Sequence, residues 1–156
     1  MNSAGAQILE SSGRRTLQII LAEDNVADVM LVRLALESAG LHCDLRVLND
    51  GAKAIAFLDD LDTNHNTVPI DLVLLDLNLP KRGGEEILKR LRLTGNYAQT
   101  PVVVMTGSDA PRDRANAQKH AARHYFHKPG SLAGYMKLGV IVRELLSPDQ
   151  AAKGEV

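Results

Sequence analysis

The chain has 156 residues, 45% hydrophobic and 24% charged, with a formal net charge of −1, which fits one globular domain and gives no reason to expect nucleic acid or an anionic membrane as partner. One cysteine, Cys43, excludes an intramolecular disulfide and a thiolate metal cluster, and an aromatic content of 3% without Trp argues against a base-stacking platform. No run has the length and apolarity of a transmembrane helix or signal peptide, so a cytoplasmic location is expected.

Residues 1–15 are rich in Ser, Gly, Ala and Gln without periodicity and read as a tail; the domain is expected over 16–147, with a second polar tail at 148–156. Leu17–Ala22 is the first strand, ending in Glu23 and Asp24. Asn25 is placed to cap a helix whose apolar stripe is read over Val26, Val29, Met30, Arg33, Leu34 and Leu36, and which Gly40 stops. Leu41–Leu48 alternates apolar and polar residues, as an edge strand does. Asp50-Gly51 turns the chain into an Ala-rich helix over Ala52–Leu61, and the polar stretch Asp62–Thr67 is a surface loop. Leu72-Val73-Leu74-Leu75 then ends abruptly in Asp76, with Pro80 and Gly83-Gly84 following, so a strand buried on both faces delivers an acid to its carboxyl end.

A third helix spans Gly83–Leu93 with Ile87, Leu88 and Leu91 inward, and 96–100 is a connector. Pro101–Met105 is another apolar strand, ending in Thr106-Gly107-Ser108. Ser108 or Asp109 caps a fourth helix, Arg112–Ala122, whose apolar residues are all alanines; it buries little area and is weakly held. Arg123–His127 is a short strand ending in Lys128-Pro129, and Leu132–Leu146 is the last helix.

Five strand–helix repeats imply a parallel sheet with helices on both faces, an α/β doubly wound, flavodoxin-like sandwich of order 2-1-3-4-5. All carboxyl ends then share one edge, where Glu23, Asp24, Asp76, Thr106 and Lys128 converge. Three carboxylates in one crevice repel one another and need a cation. Hard oxygen ligands without thiols select Mg²⁺ or a similar ion. A lysine and a hydroxyl opposite them can receive phosphoryl oxygens, which leaves Asp76, on the central strand, as the candidate nucleophile. Taken alone, Thr106 is also an ordinary strand-end residue, Lys128 a solvated charge and Tyr125 a surface aromatic. The spacing of His120, His124 and His127 gives no metal geometry.

Four separated segments together resemble the receiver domains of two-component response regulators: Ile20-Leu21-Ala22-Glu23-Asp24-Asn25, Leu74-Leu75-Asp76-Leu77-Asn78-Leu79-Pro80, Val103-Val104-Met105-Thr106-Gly107-Ser108 and Tyr125-Phe126-His127-Lys128-Pro129. The resemblance covers about Leu17 to Leu146. It implies that Asp76 accepts a phosphoryl group, and that Glu23, Asp24 and Asp76 hold Mg²⁺ with the Asn78 backbone carbonyl. Thr106 is then the switch hydroxyl, Lys128 the lysine paired with the phosphoryl group, and Tyr125 the aromatic that turns inward with Thr106. It further implies a cis Lys128–Pro129 peptide and tuning of phosphoryl lifetime by Asn78 and Ser108. A sensor histidine kinase is the implied partner, docking on Val26, Asp28, Val29 and Pro129.

The phrase Val47-Leu48-Asn49-Asp50-Gly51-Ala52-Lys53-Ala54 looks like the single-domain regulators encoded beside bacterial phytochromes, which makes a phytochrome the implied kinase. The chain ends about ten residues after the last helix, so a protein contact rather than DNA binding or catalysis on a metabolite is the expected output. Apolar residues on nearly every side of the last helix predict a homodimer through helix 4, strand 5 and helix 5, with Tyr135, Leu138, Val142 and Leu145 on the dimer face. The alternatives are a phosphorelay intermediate or phosphate sink, a Mg²⁺-dependent phosphatase, and a phosphorylation-independent scaffold.

Overall fold

Leu17–Ala22, Cys43–Leu48, Leu72–Asp76, Val102–Thr106 and His124–His127 form strands β1 to β5 of a computed structural model, which describes residues 15–63, 68–108 and 110–147. Of the expected loop Asp62–Thr67, Asp62 and Thr63 instead form the end of the helix Gly51–Thr63, and 64–67 lie outside the described residues, as do the alternative cap Asp109, residues 1–14 and the tail at 148–156. Arg15, read as part of the first tail, is described and pairs with Asp71 at 2.5 and 3.0 Å beside the start of β1.

The strands pair in parallel in the order β2-β1-β3-β4-β5, as expected. β3 and β4 are buried along their whole length, whereas β2 is half-buried, the pattern of an edge against that of a sheet centre. Side chains alternate across the sheet. Ile20, Ala22, Val73, Leu75, Val102 and Val104 face one way, toward helices α2 (Gly51–Thr63), α3 (Gly84–Arg92) and α4 (Pro111–Lys119). Ile19, Leu21, Leu72, Leu74, Val103 and Met105 face the other, toward α1 (Val26–Ser38) and α5 (Leu132–Leu145). Unbroken apolar runs in β1, β3 and β4 are therefore required by two cores, one on each side.

The caps are local. The Asn25 side chain accepts the Asp28 N–H at the start of α1, and the Ser131 side chain accepts the Gly134 N–H at the start of α5. The cap expected for α4 differs: Ala110 takes that place without a side-chain bond, while Ser108 Oγ accepts the Ala110 N–H at 3.2 Å. Only Ala117 of α4 is buried, in keeping with a helix whose apolar residues are alanines. The connector before β4 contains a short 3₁₀ turn, Gly95–Tyr97, whose Tyr97 hydroxyl donates to the Val68 carbonyl and accepts the Val68 N–H.

Three expectations need correction. On α1 the inward residues are Val32, Ala35 and Leu36, while Val26, Met30 and Leu34 are exposed. The helix is apolar on several sides, and packing against α5 selects the face. Gly139 sits at the closest approach of these helices, where a Cβ would collide with the Ala35 carbonyl, so no other residue lets α5 come so near. Second, Tyr135, Leu138 and Val142 are 2%, 0% and 0% exposed, and Leu145 packs against the same core. The helix is apolar on several sides because it covers both the sheet and α1, so Tyr135, Leu138 and Val142 cannot form a dimer face, and Leu145 is half-buried beside them. Third, no cis peptide bond occurs among the described residues, so Lys128–Pro129 is trans, the lower-energy isomer of an X–Pro bond.

Leu138→Ala tests that correction. Loss of a fully buried leucine is expected to cost about 2–5 kcal/mol of folding stability in urea denaturation. A variant of native stability that had lost only self-association would contradict it.

Candidate functional site

The parallel register brings the carboxyl ends of β1, β3, β4 and β5 to one edge, with Asp76 opposite Met105 and Thr106 opposite His127. The sequence leaves each strand with a polar residue as soon as its apolar run ends. Glu23, Asp76 and Thr106 are buried, at 1%, 4% and 0% exposure, whereas Asp24 is exposed. Glu23, Asp24 and Asp76 each offer one oxygen within 4.8 Å of the others, close enough to share a metal ion. Among the described residues this is the group of His, Cys, Asp and Glu side chains so disposed, and His120, His124 and His127 do not join it.

Lys128 leaves β5 and enters the crevice. Its backbone N–H donates to the Thr106 carbonyl at 2.8 Å, which fixes where the side chain starts. Its Nζ lies 2.8 Å from Glu23 Oε1, 3.0 Å from Asp76 Oδ2 and 3.0 Å from Asp28 Oδ2. The remaining oxygens are held as well. Glu23 Oε2 accepts the Asn25 N–H at 3.1 Å, and Asp76 Oδ1 accepts the Asn78 N–H at 2.9 Å. The Asn78 side-chain amide donates to Thr106 Oγ1 at 3.3 Å, and the Ser108 N–H donates to the same hydroxyl at 3.1 Å. Asn78 and Ser108 therefore flank the crevice, one on either side of Thr106.

Three carboxylates, Glu23, Asp28 and Asp76, face one ammonium, with the exposed Asp24 beside Glu23 and Asp76. That excess of negative charge is costly where solvent is excluded. Burial pushes the Glu23 carboxyl up to about 7, and the Asp76 charge adds to the shift, against the lowering effect of the Lys128 hydrogen bond. Burial alone would lower the Lys128 ammonium, but hydrogen bonds to Glu23 and Asp28 and the charge of Asp76 raise it above the ordinary lysine range. The lysine is thus held charged, and the site favours a further cation. Hard carboxylate oxygens in this arrangement suit a divalent ion that keeps part of its water shell.

Tyr125 is half-buried on β5. Its hydroxyl donates to the Ser108 carbonyl at 2.7 Å, and the Arg114 guanidinium of α4 lies 4.4 Å from its ring centroid. The aromatic so connects the loop after β4 to α4. Of the residues expected on a docking surface, Val26 is 75% exposed and Val29 and Pro129 are half-buried. Asp28 is not on that surface: its carboxylate turns into the crevice, onto Lys128 and Tyr135. Sequence reasoning missed this role of Asp28 and that of Tyr135. The only local mark of Asp28 is that it is an acid in the first turn of α1. Nothing local marks Tyr135, which reaches the site only because α5 packs on α1.

Comparison with known proteins agrees with this geometry. The family model for the response regulator receiver domain matches residues 19–137. Response regulator Rcp1 of Synechocystis sp. is 34% identical over 120 residues, covering 77% of this chain and 82% of Rcp1. The crystal structure of the phosphorylated cyanobacterial phytochrome response regulator RcpA superposes with a TM-score of 0.74 at 30% identity, covering 85% of this chain and 94% of RcpA. The Mn²⁺-bound form of Rcp1 gives a TM-score of 0.74 at 32% identity, covering 85% and 96% of the two chains. With its strand order, its acidic crevice and these relatives, the chain belongs to the response regulator receiver family of two-component signalling and is related to the phytochrome response regulators.

Proposed function

We propose that this receiver is a phosphorylation-switched interaction module that takes a phosphoryl group from a histidine kinase onto Asp76. The observation that carries the reading is the meeting of Asp76, Lys128 and Thr106 with the acidic pair Glu23 and Asp24 at one sheet edge. An Asp76 oxygen attacks the phosphorus of a phosphohistidine, the P–N bond breaks and an acyl phosphate forms. Glu23, Asp24, Asp76 and the Asn78 backbone carbonyl would hold Mg²⁺, which would supply positive charge to the phosphoryl oxygens. The Mn²⁺-bound relative Rcp1 and the hard oxygen donor set support this assignment.

Lys128 neutralises one phosphoryl oxygen, and the Thr106 hydroxyl donates to another as it moves inward. Tyr125 follows, and because its ring lies under Arg114 its movement displaces α4, a helix with a single buried residue. The output is a protein contact on the α4–β5 side rather than turnover of a metabolite. Asn78 and Ser108, small and polar, leave water access to the phosphoryl group and set its lifetime.

Kinship with RcpA supports a phytochrome as the kinase. The docking surface is α1, where Val26, Met30 and Leu34 form an exposed apolar row at 75%, 60% and 47%, beside Val29 and the Pro129 loop. Met30→Lys is expected to slow transfer from the phosphorylated kinase at least fivefold, an order-of-magnitude expectation for a charge placed in a docking core, while leaving phosphorylation by acetyl phosphate unchanged (~5-fold,). Equal slowing with both donors would exclude docking as its cause.

Incubation with acetyl phosphate and Mg²⁺ is expected to add one phosphoryl group by intact mass, absent in Asp76→Asn and with chelator. An unmodified native chain, or modification that survives in Asp76→Asn, would remove the assignment.

Proton competition sets a pH dependence. Glu23 must lose its proton to serve as a ligand, and burial holds that carboxyl up to about 7. Mg²⁺ affinity is therefore expected to rise as pH increases through about 7 and to level off above it, when titrated calorimetrically. A profile flat from pH 6 to 8 would show that Glu23 is not a titrating ligand (~2 pH units around its value,).

A further inference from the structure

Asp28 stands apart from the strand-end residues. It lies in the first turn of α1, where its backbone N–H donates to Asn25 Oδ1 at 3.1 Å. Its two oxygens have different partners. Oδ2 lies 3.0 Å from Lys128 Nζ, and Oδ1 accepts from the Tyr135 hydroxyl at 3.1 Å. Tyr135 is 2% exposed, and its ring meets Phe126 edge-on with centroids 5.9 Å apart, so the phenol is held in place by packing. Burial and then the Asp28 charge push the Tyr135 hydroxyl above the ordinary tyrosine range, so it stays protonated and donates.

Lys128 has three ammonium protons and three carboxylate neighbours, Glu23, Asp28 and Asp76. Two of those neighbours, Glu23 and Asp76, belong to the group able to hold a metal ion; Asp28 does not. The ammonium and a divalent cation therefore draw on the same two carboxylates. An ammonium displaced from Glu23 and Asp76 without another partner would be a half-buried, uncompensated charge.

We infer that Asp28, oriented by Tyr135, is a positioning residue that gives Lys128 a resting partner outside the metal-ligand group, so that a divalent cation can occupy Glu23 and Asp76 while the ammonium stays paired. The inference rests on the proposed Mg²⁺ site. It deepens that site by adding two residues, one from each of the helices on the far face of the sheet. Tyr135 acts through Asp28, the carboxylate that accepts from its hydroxyl.

The test is calorimetric titration of the full chain with MgCl₂ at one pH and ionic strength, comparing the native protein, Asp28→Asn, Asp28→Glu, Tyr135→Phe and the double variant. Outer-shell partners of metal ligands contribute about 10–100-fold to affinity, so Asp28→Asn is expected to weaken Mg²⁺ binding by about tenfold and Tyr135→Phe, which changes no charge, by about two- to threefold. The double variant is expected to bind no more weakly than Asp28→Asn, because two residues acting in series do not add. Asp28→Glu is expected to recover most of the affinity. Thermal unfolding followed by circular dichroism confirms that each variant is folded. Should Asp28→Asn fail to fold, Tyr135→Phe against the native chain decides, and an unchanged affinity there overturns the inference. Native-like affinity in Asp28→Asn, or additive losses in the double variant, would also overturn it. Absence of Mg²⁺ binding by the native chain would overturn the metal assignment together with it, whereas native binding with unaffected variants sinks this inference alone.

Discussion

One ammonium group ties the carboxyl edge of the sheet together. Lys128 Nζ reaches Glu23 from β1, Asp76 from β3 and Asp28 from α1, all within 3.0 Å. Each of these carboxylates would be costly in a solvent-poor crevice by itself, and removing the lysine would leave them mutually repelling. The ammonium alone does not balance them. Burial, with the Asp76 charge adding to it, raises the Glu23 carboxyl, and the remaining negative charge suits the crevice to a further cation. Structure and chemistry thus have a common origin in a charge imbalance that the fold assembles and does not fully neutralise.

Holding that imbalance requires rigid supports. β3 and β4 are buried on both faces, and the apolar runs that form them fix the backbone positions from which the Asp76 and Thr106 side chains project. The short β5 carries Lys128, and its backbone bond to the Thr106 carbonyl places the lysine opposite Asp76. On one face, α1 and α5 approach so closely that Gly139 is required at the crossing, and this contact brings Tyr135 to Asp28. Those two helices act as a fixed wall.

The opposite face is built differently. α4 contributes one buried residue, Ala117, and its first turn has no side-chain cap. Its attachment near the site is the stack of Arg114 on Tyr125, whose hydroxyl in turn holds the Ser108 carbonyl. Little apolar area holds this helix against the sheet. The two faces thus differ: close helix packing behind the crevice preserves its charge geometry, and the helix beside it is anchored by little buried area.

Much of this was legible in the residues themselves. Strand–helix alternation and the contrast between the unbroken β3 and the alternating β2 determined a parallel sheet and its order, because burial on two faces or one leaves a direct periodic mark. Abrupt changes from apolar runs to Glu23, Asp24, Asp76, Thr106 and Lys128 marked the site, since parallel strands must present their carboxyl ends together. What lay beyond reach were choices made between elements. The inward face of α1 was misread because several of its sides are apolar, and only the crossing with α5 decides that Val32, Ala35 and Leu36 point in and Val26, Met30 and Leu34 point out. Tyr135, Leu138 and Val142 were misread as a dimer face because a helix that covers both a sheet and a neighbouring helix has the same composition as one that covers a second molecule. The bond from Tyr135 through Asp28 to Lys128 joins residues more than a hundred positions apart, 107 for one link and 100 for the other, so no local pattern encodes it. Sequence alone determined which chemical groups meet at the edge, through periodicity and strand direction; tertiary packing decided which of them touch, because contact distances depend on how closely whole helices approach.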